Sequence, residues 1–202
     1  MSTTITRWWL LRHAPVPCPH GRIHGQLDVA CDTSETEAFD QLVQRLPINP
    51  ALVESGLIRC RQTAGGLEAA GLLLGPPQIE PELMEQNFGH WQGRSWMELE
   101  AAKEPGLTEF WRDPAGTAPP QGESFAAMIG RVGGAMTRLT PVLGGRDVLA
   151  IVHAGTVRAA LALALGLEPA QALRFAVQPL SLTRLDATPE GWRVECVNLT
   201  PY

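Results

Sequence analysis

Val148-Leu149-Ala150-Ile151-Val152-His153-Ala154-Gly155-Thr156 is the stretch that decides the fold. Its unbroken apolar run has strand length and predicts a fully buried strand, Asp147–Val152. The alanine- and leucine-rich Thr156–Leu165 that follows predicts a helix, which Thr156 could cap. Two other stretches end strands in the same way: Trp8-Trp9-Leu10-Leu11-Arg12-His13-Ala14, and Leu52-Val53-Glu54-Ser55-Gly56-Leu57-Ile58-Arg59. Each sets a histidine or arginine where the strand runs out. In an open α/β sheet, ligands sit beyond the carboxyl ends of the strands. His13, His153, Arg12 and Arg59 converging on one crevice would suit a small dianion, most readily phosphate.

Working outward, Ile5 and Trp8–Leu11 make the first strand, followed by a loop of Pro15, Pro17, Pro19, Gly21 and Gly25. Thr33-Ser34-Glu35-Thr36-Glu37 opens a helix ending near Pro47, Pro50–Ser55 is the second strand, and Arg61–Leu74 reads as a helix. Gln78–Glu80 is a short strand, residues 104–122 read as a proline-rich loop, and a helix runs from about Ser124 to Leu139. A short helix follows Pro169. Strands near Leu180–Asp186 and Trp192–Val197 are joined by Thr188-Pro189-Glu190-Gly191. Strands alternating with helices predict an α/β three-layer sandwich, with a mostly parallel central sheet and an antiparallel edge hairpin at the C-terminus. One domain, 1–202, is the simplest organisation.

Composition narrows the function. The chain has 202 residues, 45% of them hydrophobic, enough for one core. Net charge is −5, and Lys103 is the only lysine. With no basic run, nucleic acid is not an expected partner. An anionic substrate must then be held by particular arginines against a mildly repulsive field. Cys18, Cys31, Cys60 and Cys196 form no Cys-x-x-Cys pair, so neither a zinc ribbon nor a thioredoxin-like site is expected. No signal-peptide pattern or membrane-length apolar run is present, which predicts a cytoplasmic protein with reduced thiols and no membrane partner.

Chemistry can be assigned to several positions. Neutral imidazole is a competent nucleophile toward phosphorus, and His13, after a buried strand and before a loop, should project into the crevice. The plainer alternative is a histidine satisfying a strand-end hydrogen bond, and an isolated Arg-His pair says little against it. His153 repeats the context, with small residues and a helix N-terminus favourable to an anion. Arg59 sits closer to its strand end than Arg61. An alkoxide leaves poorly unless protonated, so an acid is needed. Glu85, in Leu83-Met84-Glu85-Gln86-Asn87-Phe88-Gly89-His90-Trp91-Gln92-Gly93, is flanked by aromatic residues that could desolvate it; Glu82 is the rival.

Taken together, these segments resemble the histidine phosphatase superfamily, the phosphoglycerate mutase-like fold. Arg12-His13-Ala14 resembles its Arg-His-Gly motif, and Leu57-x-Arg59-x-x-Gln62-Thr63-Ala64 its Leu-x-Arg-x-x-Gln-Thr-Ala segment. Leu83-x-Glu85-x-x-Phe88-Gly89-x-Trp91-x-Gly93 resembles the segment holding the proton donor. Pro120-Gln121-Gly122-Glu123-Ser124 matches Pro-x-Gly-Glu-Ser, and Val152-His153-Ala154-Gly155 the second histidine motif. The resemblance implies that His13 is phosphorylated, that Arg12, Arg59, His153 and Ala154 bind the phosphoryl group, and that Glu85 serves as acid and then base. It implies no metal and no organic cofactor. Ala14 stands where glycine is usual, and Gln92 where many members have glutamate.

Gly21-Arg22-Ile23-His24-Gly25-Gln26-Leu27-Asp28-Val29 resembles the Gly-x-x-Tyr-Gly-x-x-Asp-Val stretch of the α-ribazole phosphatases of the cobalamin pathway, with His24 in place of tyrosine. Phe110-Trp111-x-Asp113-Pro114 is similar to that branch as well. The expected activity is therefore hydrolysis of a small-molecule phosphate ester, α-ribazole 5′-phosphate or another metabolite phosphate, with Arg22, His24 and Trp111 as leaving-group contacts. A mutase is the first alternative. It is weakened because Pro15-Val16-Pro17-Cys18-Pro19 replaces the mutases' polar run and their helical insertion has no room. A non-catalytic phospho-ligand module is the second, although nucleophile and acid are both present. A homodimer is left open.

Overall fold

The computed structural model describes residues 4–18 and 21–202. Pro19, expected in the first loop, lies outside them. In chain order the elements are β1 (Thr6–Arg12), α1 (Thr36–Val43), β2 (Ala51–Glu54), α2 (Ile58–Ala69), β3 (Gln78–Ile79), α3 (Trp96–Ala101), α4 (Leu107–Arg112), α5 (Phe125–Val142), β4 (Asp147–Val152), α6 (Ala154–Leu165), α7 (Pro169–Ala172), β5 (Leu182–Thr188) and β6 (Gly191–Leu199). The strands form one six-stranded sheet ordered β3-β2-β4-β1-β5-β6. The β3-β2, β2-β4 and β4-β1 pairs are parallel, and β5 and β6 close the far edge as an antiparallel hairpin.

Alternation along the central strands builds the layers. Trp8, Leu10, Val53, Val148, Ala150 and Val152 face α5, α6 and α7 in the larger core. Leu11, Leu52, Leu149, Ile151 and Leu182 face the opposite way, onto Phe39 and Leu42 of α1 and Cys60, Ala64 and Leu67 of α2. β4 is buried from Val148 to Val152 because helices cover both its faces. A third, smaller core gathers Ile23, Trp91, Leu99, Leu107 and Phe110. It packs under the loop that follows β1.

Several expected boundaries shift, each for a local reason. α2 begins at Ile58 rather than Arg61, because Asp28 of a distant loop accepts the Ile58 N–H at 2.6 Å and satisfies the helix start from outside. α6 begins at Ala154, with His153 at its cap position; Thr156 donates instead to the Leu83 carbonyl at 3.0 Å. The stretch 104–122 is not all loop, since it contains α4. α3, absent from the sequence reading, starts at a capping box in which Ser95 and Glu98 each bond the other's backbone N–H. The four cysteines are free thiols.

Ile151, fully buried near the end of β4, tests how far the sheet carries the fold. Ile151→Ala is expected to cost roughly 2–5 kcal/mol, read as a lower urea midpoint with an unchanged slope.

Candidate active site

The register of β1 on β4 pairs Arg12 with Val152, so the next residues of both strands, His13 and His153, emerge side by side. The His13 N–H donates to the Val152 carbonyl at 2.9 Å, and the two imidazole centroids lie 5.2 Å apart. Beyond these strand ends opens a cavity of about 410 Å³, walled by Arg12, His13, His24, Arg59, Glu85, Gly155 and Arg158 among others. It lies where open α/β sheets place their ligands.

His13 is held in one orientation. Its Nδ1 lies 2.7 Å from the Ala14 carbonyl, which can only accept, so Nδ1 carries the proton. The Ala14 N–H donates to Thr63 Oγ1 at 2.9 Å, and Thr63 donates onward to the Arg59 carbonyl at 2.7 Å. Nε2 is left with its lone pair and no protein partner among the described residues. Burial pushes the His13 pKa down to about 3, against the Ala14 carbonyl and with help from Arg59 and Arg12.

Arg59 is 1% exposed. Its Nε donates to His153 Nδ1 at 3.2 Å, Nη1 to the Leu27 carbonyl at 2.8 Å and Nη2 to the Gly25 carbonyl at 2.7 Å. Its start-of-helix neighbour Arg61 turns away to Glu54 and is largely exposed. Arg12 donates from Nη1 to the Val177 carbonyl at 2.6 Å, while its buried Nε has no partner among the described residues. Burial lowers the pKa of both guanidiniums. His153 is fully buried; with Nδ1 accepting from Arg59, its Nε2 proton faces Ser55 Oγ at 2.8 Å. Burial first, and Arg59 next, hold its pKa well below the usual imidazole range.

Glu85 reaches the site from the segment before α3. Its Oε1 accepts the Gln86 N–H at 2.9 Å and the Gly155 N–H at 3.1 Å, so the carboxylate occupies the α6 N-terminus. Gly155 is required for this approach, because a Cβ there would overlap Glu85 Oε1. The segment is braced by Arg131, which donates to the carbonyls of Met84 and Glu85 and pairs with Glu123; Glu123 in turn accepts the Asn87 N–H. Glu82, the rival acid, is ion-paired with Arg138 on the surface.

The loop residues divide. His24 lines the cavity, and its buried Nε2 has no partner among the described residues; burial and Arg59 lower its pKa. Arg22 stands at the rim, where it binds the Gly93 carbonyl and Glu98. Gln92 braces this loop by accepting the Gln26 N–H at 2.7 Å. Trp96 lines the cavity, whereas Trp111 packs on Trp96 with centroids 4.8 Å apart and is half exposed. Of the α6 start, Gly155 faces the cavity and Ala154 packs against the larger core. Arg158, one turn further, was missed by the sequence reading, although its spacing from Gly155 puts both on one helix face. Among the described residues, no group of three His, Cys, Asp or Glu could hold a metal ion, and no helix is long and apolar enough to cross a membrane.

A neutral, oriented imidazole stands among guanidiniums that make no ion pair, with one carboxylate opposite, an arrangement chemically able to hold a phosphoryl group. The sequence profile of the histidine phosphatase superfamily (branch 1) matches residues 8–200, and the chain belongs to that family. It is 33% identical over 176 residues to a glucosyl-3-phosphoglycerate phosphatase of Mycolicibacterium vanbaalenii, covering 81% of this chain and 76% of that one. It is 28% identical over 171 residues to the adenosylcobalamin/alpha-ribazole phosphatase of Escherichia coli K12, covering 83% and 82%. The structure of a mycobacterial glucosyl-3-phosphoglycerate phosphatase superimposes with a TM-score of 0.80 at 26% identity, covering 97% of this chain and all of the other, 100%.

His13 titrates near 6.5 when unfolded and at about 3 when folded, so the unfolded chain binds the extra proton between those values. Its contribution to stability is complete above 6.5 and is lost as pH falls toward 3. Between about pH 7.5 and 5 the loss is on the order of 2 kcal/mol. The urea midpoint of the wild type should therefore fall further over that range than that of His13→Gln. Equal drops in both would show that His13 takes up its proton without unfolding.

Proposed function

We propose that this chain is a metal-independent phosphomonoesterase that hydrolyses a small phosphate ester through a phosphohistidine at His13. The observation that carries this reading is the His13 geometry. Nδ1 is anchored on the Ala14 carbonyl, and Nε2 is deprotonated, unpartnered and on the cavity wall.

Nε2 attacks phosphorus, an N–P bond forms, and the ester P–O bond breaks. Arg12 and Arg59 carry the charge of the transferring group in a site where burial makes each N–H worth more than in water. Glu85 Oε1 accepts from the amides of Gln86 and Gly155, and Oε2 shares the Gly155 N–H at the longer distance of 3.3 Å; from Oε2 the carboxyl passes a proton to the departing oxygen. The same carboxylate then takes a proton from the water that attacks the phosphohistidine, releasing inorganic phosphate and free His13. His153 joins when an anion draws Arg59 Nε forward. The Ser55 hydroxyl can donate as well as accept, so the ring can shift its proton to Nδ1 and offer it to a phosphoryl oxygen. Arg22 and His24 would contact the leaving group at the rim. The relatives named above are a glucosyl-3-phosphoglycerate phosphatase and an adenosylcobalamin/alpha-ribazole phosphatase, which supports a phosphate ester as the substrate class.

His13→Ala should abolish turnover and the acid-labile label trapped during hydrolysis; turnover persisting in that variant would end the phosphohistidine reading. Glu85→Gln should slow alkyl phosphates by about 10²–10⁴-fold, the usual worth of a positioned acid. p-Nitrophenyl phosphate, whose leaving group needs no proton, should be slowed far less. Equal slowing of both esters would assign the proton to another group.

A further inference from the structure

A second cavity, of about 230 Å³, opens between α2 and the 74–77 segment that leads into β3. Its most buried acid is Glu54, the last residue of β2, which is 1% exposed. Leu52 packs onto α2, and residues two apart on a strand share a face, so the Glu54 side chain points the same way. Arg61 donates from Nε to Glu54 Oε2 at 3.1 Å, but Oε1 is buried without a partner among the described residues. Other carboxylates of low exposure are better served. Glu123 takes the Asn87 N–H as well as Arg131, Glu80 takes the Glu82 N–H as well as Arg138, and Asp186 meets Arg184 through both oxygens. A buried carboxylate oxygen left unmatched costs free energy that a donor entering the cavity would recover.

The walls say what that donor carries. Glu68, two turns after Arg61 on α2, is the only other charged residue lining the cavity. Two carboxylates therefore face one guanidinium and leave one negative charge over. Pro76 and Pro77 also line the space and have no N–H to offer, so they meet a ligand with acceptors alone. Leu52, Ala64 and Leu74 add apolar surface. A divalent metal ion suits this poorly, because among the described residues no group of three His, Cys, Asp or Glu stands together and Arg61 already holds one oxygen. A primary ammonium on a short alkyl stem suits it well. It brings one positive charge, only donors, and a chain that covers the apolar wall. The volume is several times the roughly 30 Å³ share of one water, which leaves room for such a chain. The Arg61 side chain is 59% exposed and free to yield its place. We propose that this cavity binds a small primary alkylammonium, seated on Glu54 and Glu68. It shares no lining residue with the cationic cavity at the strand ends.

The test is calorimetric titration of n-butylammonium chloride into the full chain at fixed ionic strength, with inorganic phosphate present to occupy the strand-end cavity. One site with a Kd of about a millimolar is expected. n-Butanol lacks the charge and tetramethylammonium lacks the N–H donors, so each should bind about tenfold more weakly or worse. Glu54→Gln should weaken n-butylammonium binding by about 10–100-fold, the usual worth of a hydrogen bond to a charged group. Arg61→Gln, which frees Oε2, should tighten it severalfold. Opposite signs from the two halves of one ion pair mark a site, whereas a purely structural pair would lose binding in both variants. Where Glu54→Gln does not fold, Glu68→Gln on the exposed face of α2 serves instead: a severalfold loss supports the site, and unchanged binding overturns it. The absence of saturable binding, or equal affinity for n-butanol, would also overturn the proposal. So would a loss in Glu85→Gln that Glu54→Gln does not show, which would place the amine in the strand-end cavity.

Discussion

The site depends on a buried arginine that is satisfied without being neutralised. Arg59 spends its N–H groups on two backbone carbonyls and an imidazole nitrogen. A carboxylate in any of those places would have cancelled its charge; neutral acceptors meet its hydrogen-bonding demand and leave the charge intact. Arg12 and Arg158 follow the same rule, with the Val177 and Phe175 carbonyls as their acceptors. The outward-facing arginines do the opposite, as Arg138 does with Glu80 and Glu82. A chain of net charge −5 thus keeps a cationic cavity at one end of its sheet. Holding several desolvated guanidiniums together is costly, and the well-packed strands beneath them supply the stability that offsets it.

That cationic field also fixes the state of the histidines. Burial and neighbouring arginines act in the same direction on His13, His24 and His153, each of which is held below the ordinary imidazole range. A protonated His13 would have no free lone pair, so under the proposed function the charges that attract the substrate would also keep the imidazole able to attack. The Ala14 carbonyl then selects the tautomer. Orientation, protonation state and affinity for an anion therefore share one origin, the neutral partnering of buried guanidiniums beside a strand end.

The sequence made the sheet and its strand-end residues legible because both follow from local pattern. β4 is an unbroken apolar run with a polar residue at its end, and the register of β1 on β4 did the rest by setting His13 beside His153. Arg59 could be preferred to Arg61 from its place alone, and Glu85 to Glu82. What stayed hidden were contacts between distant segments. The start of α2 depends on Asp28, the start of α6 on Glu85, and neither bond leaves a trace in the helix's own residues. α3 was legible in principle, since Ser95-Trp96-Met97-Glu98 is a capping box, but its six residues carry too little periodicity to stand out. Arg158 was passed over because a single arginine in an alanine-rich helix looks like a solvated one until the cavity is seen.

The loop at residues 21–29 is usually the kind of segment that varies freely on a surface. Here it is wired to the buried cavity arginine, since Gly25 and Leu27 supply the carbonyls that hold Arg59, and Gln26 donates to the Glu85 carbonyl. Gln92 pins it from the other side. A change in this loop that moves His24 in the cavity wall also acts on the carbonyls that hold Arg59 and on the Glu85 segment. Selection at the rim and charge stabilisation at the strand ends are thus mechanically one assembly.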